Sequence, residues 1–420
     1  MYAFTEKMYP ICRSITGQGV RETLKLISGE VGLKTFSIET GTKVFDWEVP
    51  KEWNIKEAYI KDGDGKTIVD FRNHNLHIMS YSCPVKASFT IDELRPHLHY
   101  LKEMPEVIPY RTSYYKEAWG FCLSYAQFSK LADTNYEVLI DSSLEHGVLD
   151  YGEVFIKGEV EDEVILYTHI CHPSLGNDNL SGLSVLTHLS KILEHSKLKY
   201  SYRIVFAPGT IGSITWLSQN KDRFSQIKCG LVVALVGDSG NFCYKRNRNE
   251  DSYIDKVVSK ALMDSGEAYE MLDFSPYGYD ERQFCSPGIN LDFGRLTRTP
   301  NSCYEEYHTS NDNLDFIKPD RMATALMVAI DAINIIEEDE TYINTQPYCE
   351  PQLGRRGLYE NTGGVKDVNQ RSLAMLWVLN QSDGRNSLLD IAIRSGLAFE
   401  SIYEVSKDLL GAGLLKKSEN

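Results

Sequence analysis

Tyr167-Thr168-His169-Ile170-Cys171-His172-Pro173-Ser174-Leu175-Gly176-Asn177-Asp178-Asn179-Leu180-Ser181-Gly182 is the stretch on which the reading of this chain turns. It follows the apolar run Val164-Ile165-Leu166, which reads as a buried strand, and it leads into a helical pattern over residues 181–194. In open α/β sheets ligands gather beyond the carboxyl ends of strands, so a polar loop placed there sits where a site belongs. Neutral imidazoles from His169 and His172 together with the Asp178 carboxylate suit a borderline-soft cation such as zinc. The plainer account makes His169 or His172 an ordinary buried histidine and gives Asp178 and Asn179 a turn or helix-capping task. Their concentration at one strand end favours the metal.

Outward from this loop the pattern alternates. Strand-like runs at 136–140, 154–156, 163–167, 202–206, 231–236 and 289–293 are interleaved with helical patterns at 211–219, 252–265 and 319–337. Such alternation predicts an α/β core with a mixed, mainly parallel sheet flanked by helices. Two short helices are expected between residues 4 and 32, and residues 42–129 change character to a β-rich, aromatic segment that reads as an insertion. After a polar connector over 345–364, helical patterns at 371–381, 387–395 and 399–410 lead to Gly411-Ala412-Gly413 and a short strand, the outline of a winged helix. The expected domains are therefore 1–41 with 130–345 for the core, 42–129 for the insertion and 346–420 for the winged helix.

Composition narrows the function. With 44 Lys and Arg against 59 Asp and Glu, the net charge is −15, which opposes the cationic contacts that bind phosphate backbones. The expected recognition helix of the winged domain carries Glu400, Glu404 and Asp408 on one stripe, with Lys407 in opposition. Nucleic acid is thus disfavoured as a partner, as is a transcriptional regulator, and the C-terminal domain reads as a protein-interaction or packing module. Nine cysteines, an odd number without a CxxC pair, read as free thiols of a reducing compartment. No apolar run approaches the roughly 20 residues of a membrane helix and no signal pattern opens the chain, so a cytoplasmic protein without membrane contact is expected. A homo-oligomer is compatible with such a composition.

A second cluster, Tyr304-Glu305-Glu306-Tyr307-His308-Thr309-Ser310-Asn311-Asp312-Asn313-Leu314-Asp315, brings another histidine flanked by acids before the long helix, where Asp312 and Asp315 also read as serving the helix dipole. The aromatic run Tyr110, Tyr114, Tyr115, Trp119 and Phe121 suits stacking against a sugar or peptide, or burial in a β-rich core.

The strand, His169, Asp178-Asn179-x-x-Gly182 and late Tyr307-His308-Thr309-x-x-Asp312 pattern resembles the M28-type zinc aminopeptidases. A closer resemblance is to a bacterial family of aminopeptidase-like proteins with a DUF4910 peptidase core, an inserted DUF2172 domain and a C-terminal winged helix, often found with polysaccharide-biosynthesis functions. It is carried by Pro109-Tyr110-Arg111-Thr112-Ser113-Tyr114-Tyr115, Trp119-Gly120-Phe121-Cys122, Pro208-Gly209-Thr210-Ile211-Gly212-Ser213 and Glu306-Tyr307-His308-Thr309-Ser310, besides the loop from His169.

The resemblance implies that His169 is the first zinc ligand, Asp178 the metal-bridging carboxylate and His308 the late histidine ligand. His172 has no M28 counterpart and either replaces His169 or orients it. M28 enzymes carry a Glu-Glu pair where this chain reads Phe206-Ala207-Pro208-Gly209-Thr210, and Asp238 is displaced from the position of a further acidic ligand. One zinc ion is therefore expected rather than two. Glu306, Glu281 and Asp280 remain as candidates for the base that activates water. The function implied is zinc-dependent, aminopeptidase-like hydrolysis of an amide in a small peptide, aminoacyl or amino-sugar substrate. The rival is a catalytically inactive metal- or sugar-binding protein on the same fold.

Overall fold

The structure is a computed structural model and describes residues 1–358 and 370–418. The end of the expected 345–364 connector, from 359 onward, lies outside the described residues. Two compact units are distinguished, residues 1–250 with 269–326, and residues 251–268 with 327–420.

The first unit is built on an eight-stranded mixed sheet. Its order is Leu33–Glu39, Val148–Ile156, Ser201–Ala207, Glu163–His169, Ile227–Val233, Phe293–Thr297, Phe242–Lys245 and Tyr269–Leu272. The four central strands, from Ser201–Ala207 to Phe293–Thr297, run parallel, and antiparallel pairings appear towards both edges. Every residue of Glu163–His169 and of Ser201–Ala207 is buried, as expected of a parallel strand covered on both faces. The helices Gln18–Ser28, Gly182–Leu193 and Ile211–Gln219 pack on this sheet. The result is the mixed α/β architecture flanked by helices that the alternating pattern predicts.

A four-stranded antiparallel sheet in the same unit has the order Thr67–Asp70, Glu52–Lys61, Asn135–Glu145 and Val85–Thr90. One strand therefore changes place relative to the sequence reading. The run at 136–140, expected in the α/β core, belongs to Asn135–Glu145 and pairs with Glu52–Lys61 and Val85–Thr90. The physical reason is visible in its pattern: Tyr136, Val138 and Ile140 are buried while Glu137 is exposed, the period-two alternation of a sheet with one covered face. The run at 289–293 also moves, because the strand begins where that run ends, at Phe293–Thr297.

The second unit contains the helix Tyr253–Ser265, a three-stranded antiparallel sheet of Asp383–Ser387, Thr341–Asn344 and Leu415–Lys417, and the helices Gln370–Gln381, Leu388–Ser395 and Phe399–Gly411. The last three helices and the closing strand make the winged-helix region. A full capping box at Ser387 and Asp390 fixes the entry to its middle helix, and Gly396 in the left-handed region ends it. On the final helix, Lys407 bonds Glu404 at 2.8 Å and Arg371 pairs with Asp408. All nine cysteines are free thiols. Among the described residues no helix is long and apolar enough to cross a membrane.

Candidate metal centre

His169 is the last residue of a central strand, so its side chain stands at the carboxyl edge of the sheet. The chain leaves the strand there, turns through residues 170–175 and re-enters helix at Gly182. Gly182 is needed at that point, because a Cβ would lie 2.6 Å from both the Asn179 Oδ1 and the Val233 carbonyl. Asn179 staples the loop to the sheet: its Nδ2 donates to the Thr168 hydroxyl at 2.7 Å and the His169 carbonyl at 3.0 Å, while its Oδ1 accepts from the Leu235 N–H at 3.0 Å.

The second loop braces the first. The Asp312 carboxylate, fully buried, accepts the backbone N–H of Asn177 at 2.5 Å and of Asp178 at 2.9 Å, and its carbonyl accepts the Gly176 N–H at 2.8 Å. Burial, reinforced by the Asp178 charge, pushes the Asp312 carboxyl up to about 8. Asp312 is thus a loop brace, a role that the helix-dipole reading missed. Asp238 acts from a third loop, where its carboxylate accepts the Asn177 Nδ2 at 2.9 Å and the Thr299 hydroxyl at 2.7 Å.

Four side chains converge on the Asp178 carboxylate. His169 Nε2 lies 2.8 Å and His172 Nδ1 3.4 Å from Oδ1, while His308 Nε2 lies 2.9 Å from Oδ2 and the Tyr279 hydroxyl donates to Oδ2 at 3.0 Å. His308 is thereby brought beside Asp178 from 130 residues away. One nitrogen of His169, one of His172 and one oxygen of Asp178 all lie within 4.8 Å of one another. Tetrahedral ligands held roughly 2 Å from zinc are about 3.3 Å apart, so this donor set fits a zinc ion. His308 instead faces the other carboxylate oxygen and stands outside that compact triad.

Electrostatics agree with that chemistry. Burial holds the His172 imidazole down at about 3, so it is neutral with a lone pair to offer. Burial opposes the charge on Asp178, but the three surrounding imidazoles outweigh it and hold the carboxyl well below the usual range. The Tyr279 phenol, desolvated and facing that carboxylate, is held well above its ordinary value and remains a donor. Its ring also stacks on His169 with centroids 4.8 Å apart. Tyr279 escaped the sequence reading, although it adjoins Asp280 and Glu281.

The three candidate bases differ in burial and in partners. Glu281 is fully buried with Lys245 Nζ at 2.9 Å and Arg295 Nη1 at 3.5 Å from its Oε1, and those cations hold it below its ordinary value against burial, while its Oε2 has no hydrogen-bond partner among the described residues. Glu306 is half-buried, and its carbonyl accepts the Thr309 N–H and hydroxyl. Asp280 is fully buried, with Oδ1 accepting the Ser213 hydroxyl at 2.6 Å and the Tyr167 hydroxyl at 3.1 Å. Its Oδ2 has no hydrogen-bond partner among the described residues, and burial raises the carboxyl to about 6. A Cβ on Gly209 would lie 3.1 Å from that Oδ2 and 3.1 Å from the His169 Cβ. The stretch that resembles the M28 pair but lacks acids therefore lies against a carboxylate arriving from a different loop.

Over the imidazoles lies a cavity of about 250 Å³ walled by Trp47, Tyr110, Tyr114, Tyr115 and Tyr279, with Gly209 and Thr210 on its rim. Tyr110 meets His172 and His308 edge-on, at centroid distances of 5.3 and 5.0 Å. Its backbone N–H donates to the His308 carbonyl at 2.7 Å, so the aromatic segment is hydrogen-bonded to the late histidine loop.

Comparison with known proteins agrees with this architecture. A family model described as a domain of unknown function (DUF4910) matches residues 2–339, and one described as a winged helix-turn-helix matches residues 340–417. A Clostridium acetobutylicum protein, provisionally named for polysaccharide biosynthesis with an aminopeptidase-like domain, is 52% identical over 418 residues, spanning 99% of this chain and 96% of its own. A crystal structure of a provisionally identified peptidase from that organism superposes with a TM-score of 0.94 at 51% identity, covering 99% of this chain and 95% of the other. A zinc aminopeptidase from Bacillus subtilis shares the fold at a TM-score of 0.58 and 11% identity, covering 80% of this chain and 94% of that one.

Proposed function

Because the chain belongs to the DUF4910 family, with a C-terminal winged helix and the fold of the zinc aminopeptidases, we propose that it is a zinc-dependent hydrolase that cleaves an amide bond. The observation that carries the reading is the convergence of His169, His172 and His308 on the one buried carboxylate of Asp178. His169, His172 and Asp178 would hold the ion, with His308 fixing the far oxygen of Asp178 or completing the set. A zinc ion there supplies Lewis-acid polarisation of the scissile carbonyl and acidifies water.

One ion fits better than two. The second oxygen of Asp178, which a second cation would need, already receives the Tyr279 hydroxyl and His308. The chain's own contribution to proton movement is assigned to Asp280: its Oδ2 is unpartnered among the described residues and lies, fully buried, behind Gly209, a residue of the cavity wall without a side chain. Glu281, paired through its Oε1 with Lys245 and Arg295, is assigned a structural role instead. A peptidase-type hydrolase serving polysaccharide biosynthesis accords with the name of the Clostridium relative. Nucleic-acid binding by the winged helix is not favoured, since its final helix presents Glu400, Glu404 and Asp408.

The test is a paired measurement of metal content and amide hydrolysis. Asp280→Asn should retain zinc and lose on the order of 10²–10⁴-fold in kcat, the span of general acid–base catalysis. Asp178→Ala should lose both. Full turnover by metal-free protein, or by Asp280→Asn, would overturn the corresponding assignment.

A further inference from the structure

Resting on that hydrolytic reading, we infer that the amide belongs to an N-acylated amino sugar, bound by its ring on Trp47 and Tyr115, and not to a substrate with a free amino terminus. Among the described residues that line the cavity there is no Asp, Glu, Lys or Arg. An α-amino group is protonated at pH 7, and moving an ammonium out of water is costly unless an anion receives it. Of the two carboxylates beside the cavity, Asp178 has His169 and His172 on one oxygen and His308 and Tyr279 on the other. Asp280 is fully buried behind Gly209. Cation attraction to aromatic faces exists but is weaker than the hydration an ammonium gives up.

What the cavity does offer is aromatic surface with hydroxyls at its edge. Trp47 and Tyr115 are 47% and 56% exposed, far more than apolar packing in a fold core would leave them. Their rings sit 5.4 Å apart at 58°, two walls of an open corner. The apolar C–H face of a pyranose covers such rings, and its equatorial hydroxyls meet water and tyrosine oxygens. Deeper in, Tyr110 and Tyr114 join hydroxyls at 2.6 Å, and the Tyr110 ring reaches the imidazoles of His172 and His308. A volume of about 250 Å³ is below the roughly 300–1,000 Å³ of drug-sized sites and suits one monosaccharide with its acyl group directed at the imidazoles.

The reaction balances without a further reactant. Water adds its hydroxyl to the acyl carbon, the C–N bond breaks, the nitrogen takes a proton, and a carboxylate and an amino sugar leave.

The experiment uses the full chain loaded with zinc, N-acetylglucosamine and N-acetylgalactosamine as sugar probes, and leucine p-nitroanilide as the free-amine probe. Hydrolysis is read by acetate or nitroaniline release, and sugar binding separately by isothermal titration calorimetry of wild type, Trp47→Ala and Tyr115→Ala. Both substitutions are at exposed rings. The expected result is acetate release from a sugar, with KM raised roughly two- to tenfold by either substitution and kcat nearly constant.

Nitroaniline release without sugar binding would overturn the inference and leave amide hydrolysis standing. If neither substrate is cleaved, the hydrolytic reading fails, and the sugar site is then decided by binding alone. Saturable binding weakened in both variants upholds the site, and its absence at millimolar sugar overturns it.

Discussion

Replacing Tyr279 by Phe removes one oxygen from the middle of the centre and changes little else. The hydroxyl donates to Asp178 Oδ2 at 3.0 Å and lies 3.2 Å from the Tyr307 hydroxyl, in a fully buried setting. It fixes the rotation of the carboxylate so that Oδ1 faces His169 and His172. Without it Oδ2 retains, among the described residues, His308 Nε2 at 2.9 Å. A hydrogen bond to a charged acceptor contributes ~1.5–3 kcal/mol, which corresponds to about 10- to 150-fold in an equilibrium constant. Partners that orient metal ligands typically alter affinity by ~10–100-fold. Tyr279→Phe should therefore weaken zinc binding by one to two orders of magnitude, measured by competition with a chromophoric chelator at fixed pH. Circular dichroism checks that the fold persists. A zinc dissociation constant within twofold of wild type would refute the claim that Tyr279 sets the carboxylate's geometry.

Glu281→Gln should leave zinc content unchanged but destabilise the first unit by ~3–5 kcal/mol, because Lys245 and Arg295 would remain as uncompensated buried cations. The urea midpoint reports it. Gly209→Ala should impair hydrolysis, since its Cβ would press on both the Asp280 Oδ2 and the His169 Cβ at 3.1 Å, and steady-state kinetics measures the loss. Stability should fall as pH drops from about 6.5 towards 4. Burial lowers His74 and His99 to about 4, so below 6.5 the unfolded chain binds protons that the folded one resists. Urea titrations at pH 7.5 and 5.0 check the slope, and His74→Gln should flatten it.

The sequence made the centre legible where chemistry and position coincide. His169 and Asp178 sit at a strand end that an apolar run announces, and His308 carries its own tyrosine and threonine neighbours. Fold class followed from the alternation of short, largely apolar runs, such as Ile204-Val205-Phe206 in the all-buried strand Ser201–Ala207, with helical patterns. Less legible were groups whose task depends on a partner far along the chain. Nothing local tells Asp312, which holds the backbone of Asp178, from an ordinary helix-entry acid. Among three acids offered as bases, only the three-dimensional surroundings distinguish Glu281, whose Oε1 is clamped by Lys245, from Asp280, which meets the Ser213 and Tyr167 hydroxyls and lies against Gly209. The strand Asn135–Glu145 went to the smaller sheet because period-two burial outweighs its adjacency in sequence to the core.

Zinc stoichiometry in the wild-type chain and in Asp178→Ala, by elemental mass spectrometry after equilibration with zinc and desalting, bears most directly on the whole reading. One zinc per chain in wild type and essentially none in the variant is the expected result. A variant that keeps its zinc, or a wild type that takes up none, would contradict the assignment of Asp178 and its three histidines as a metal centre.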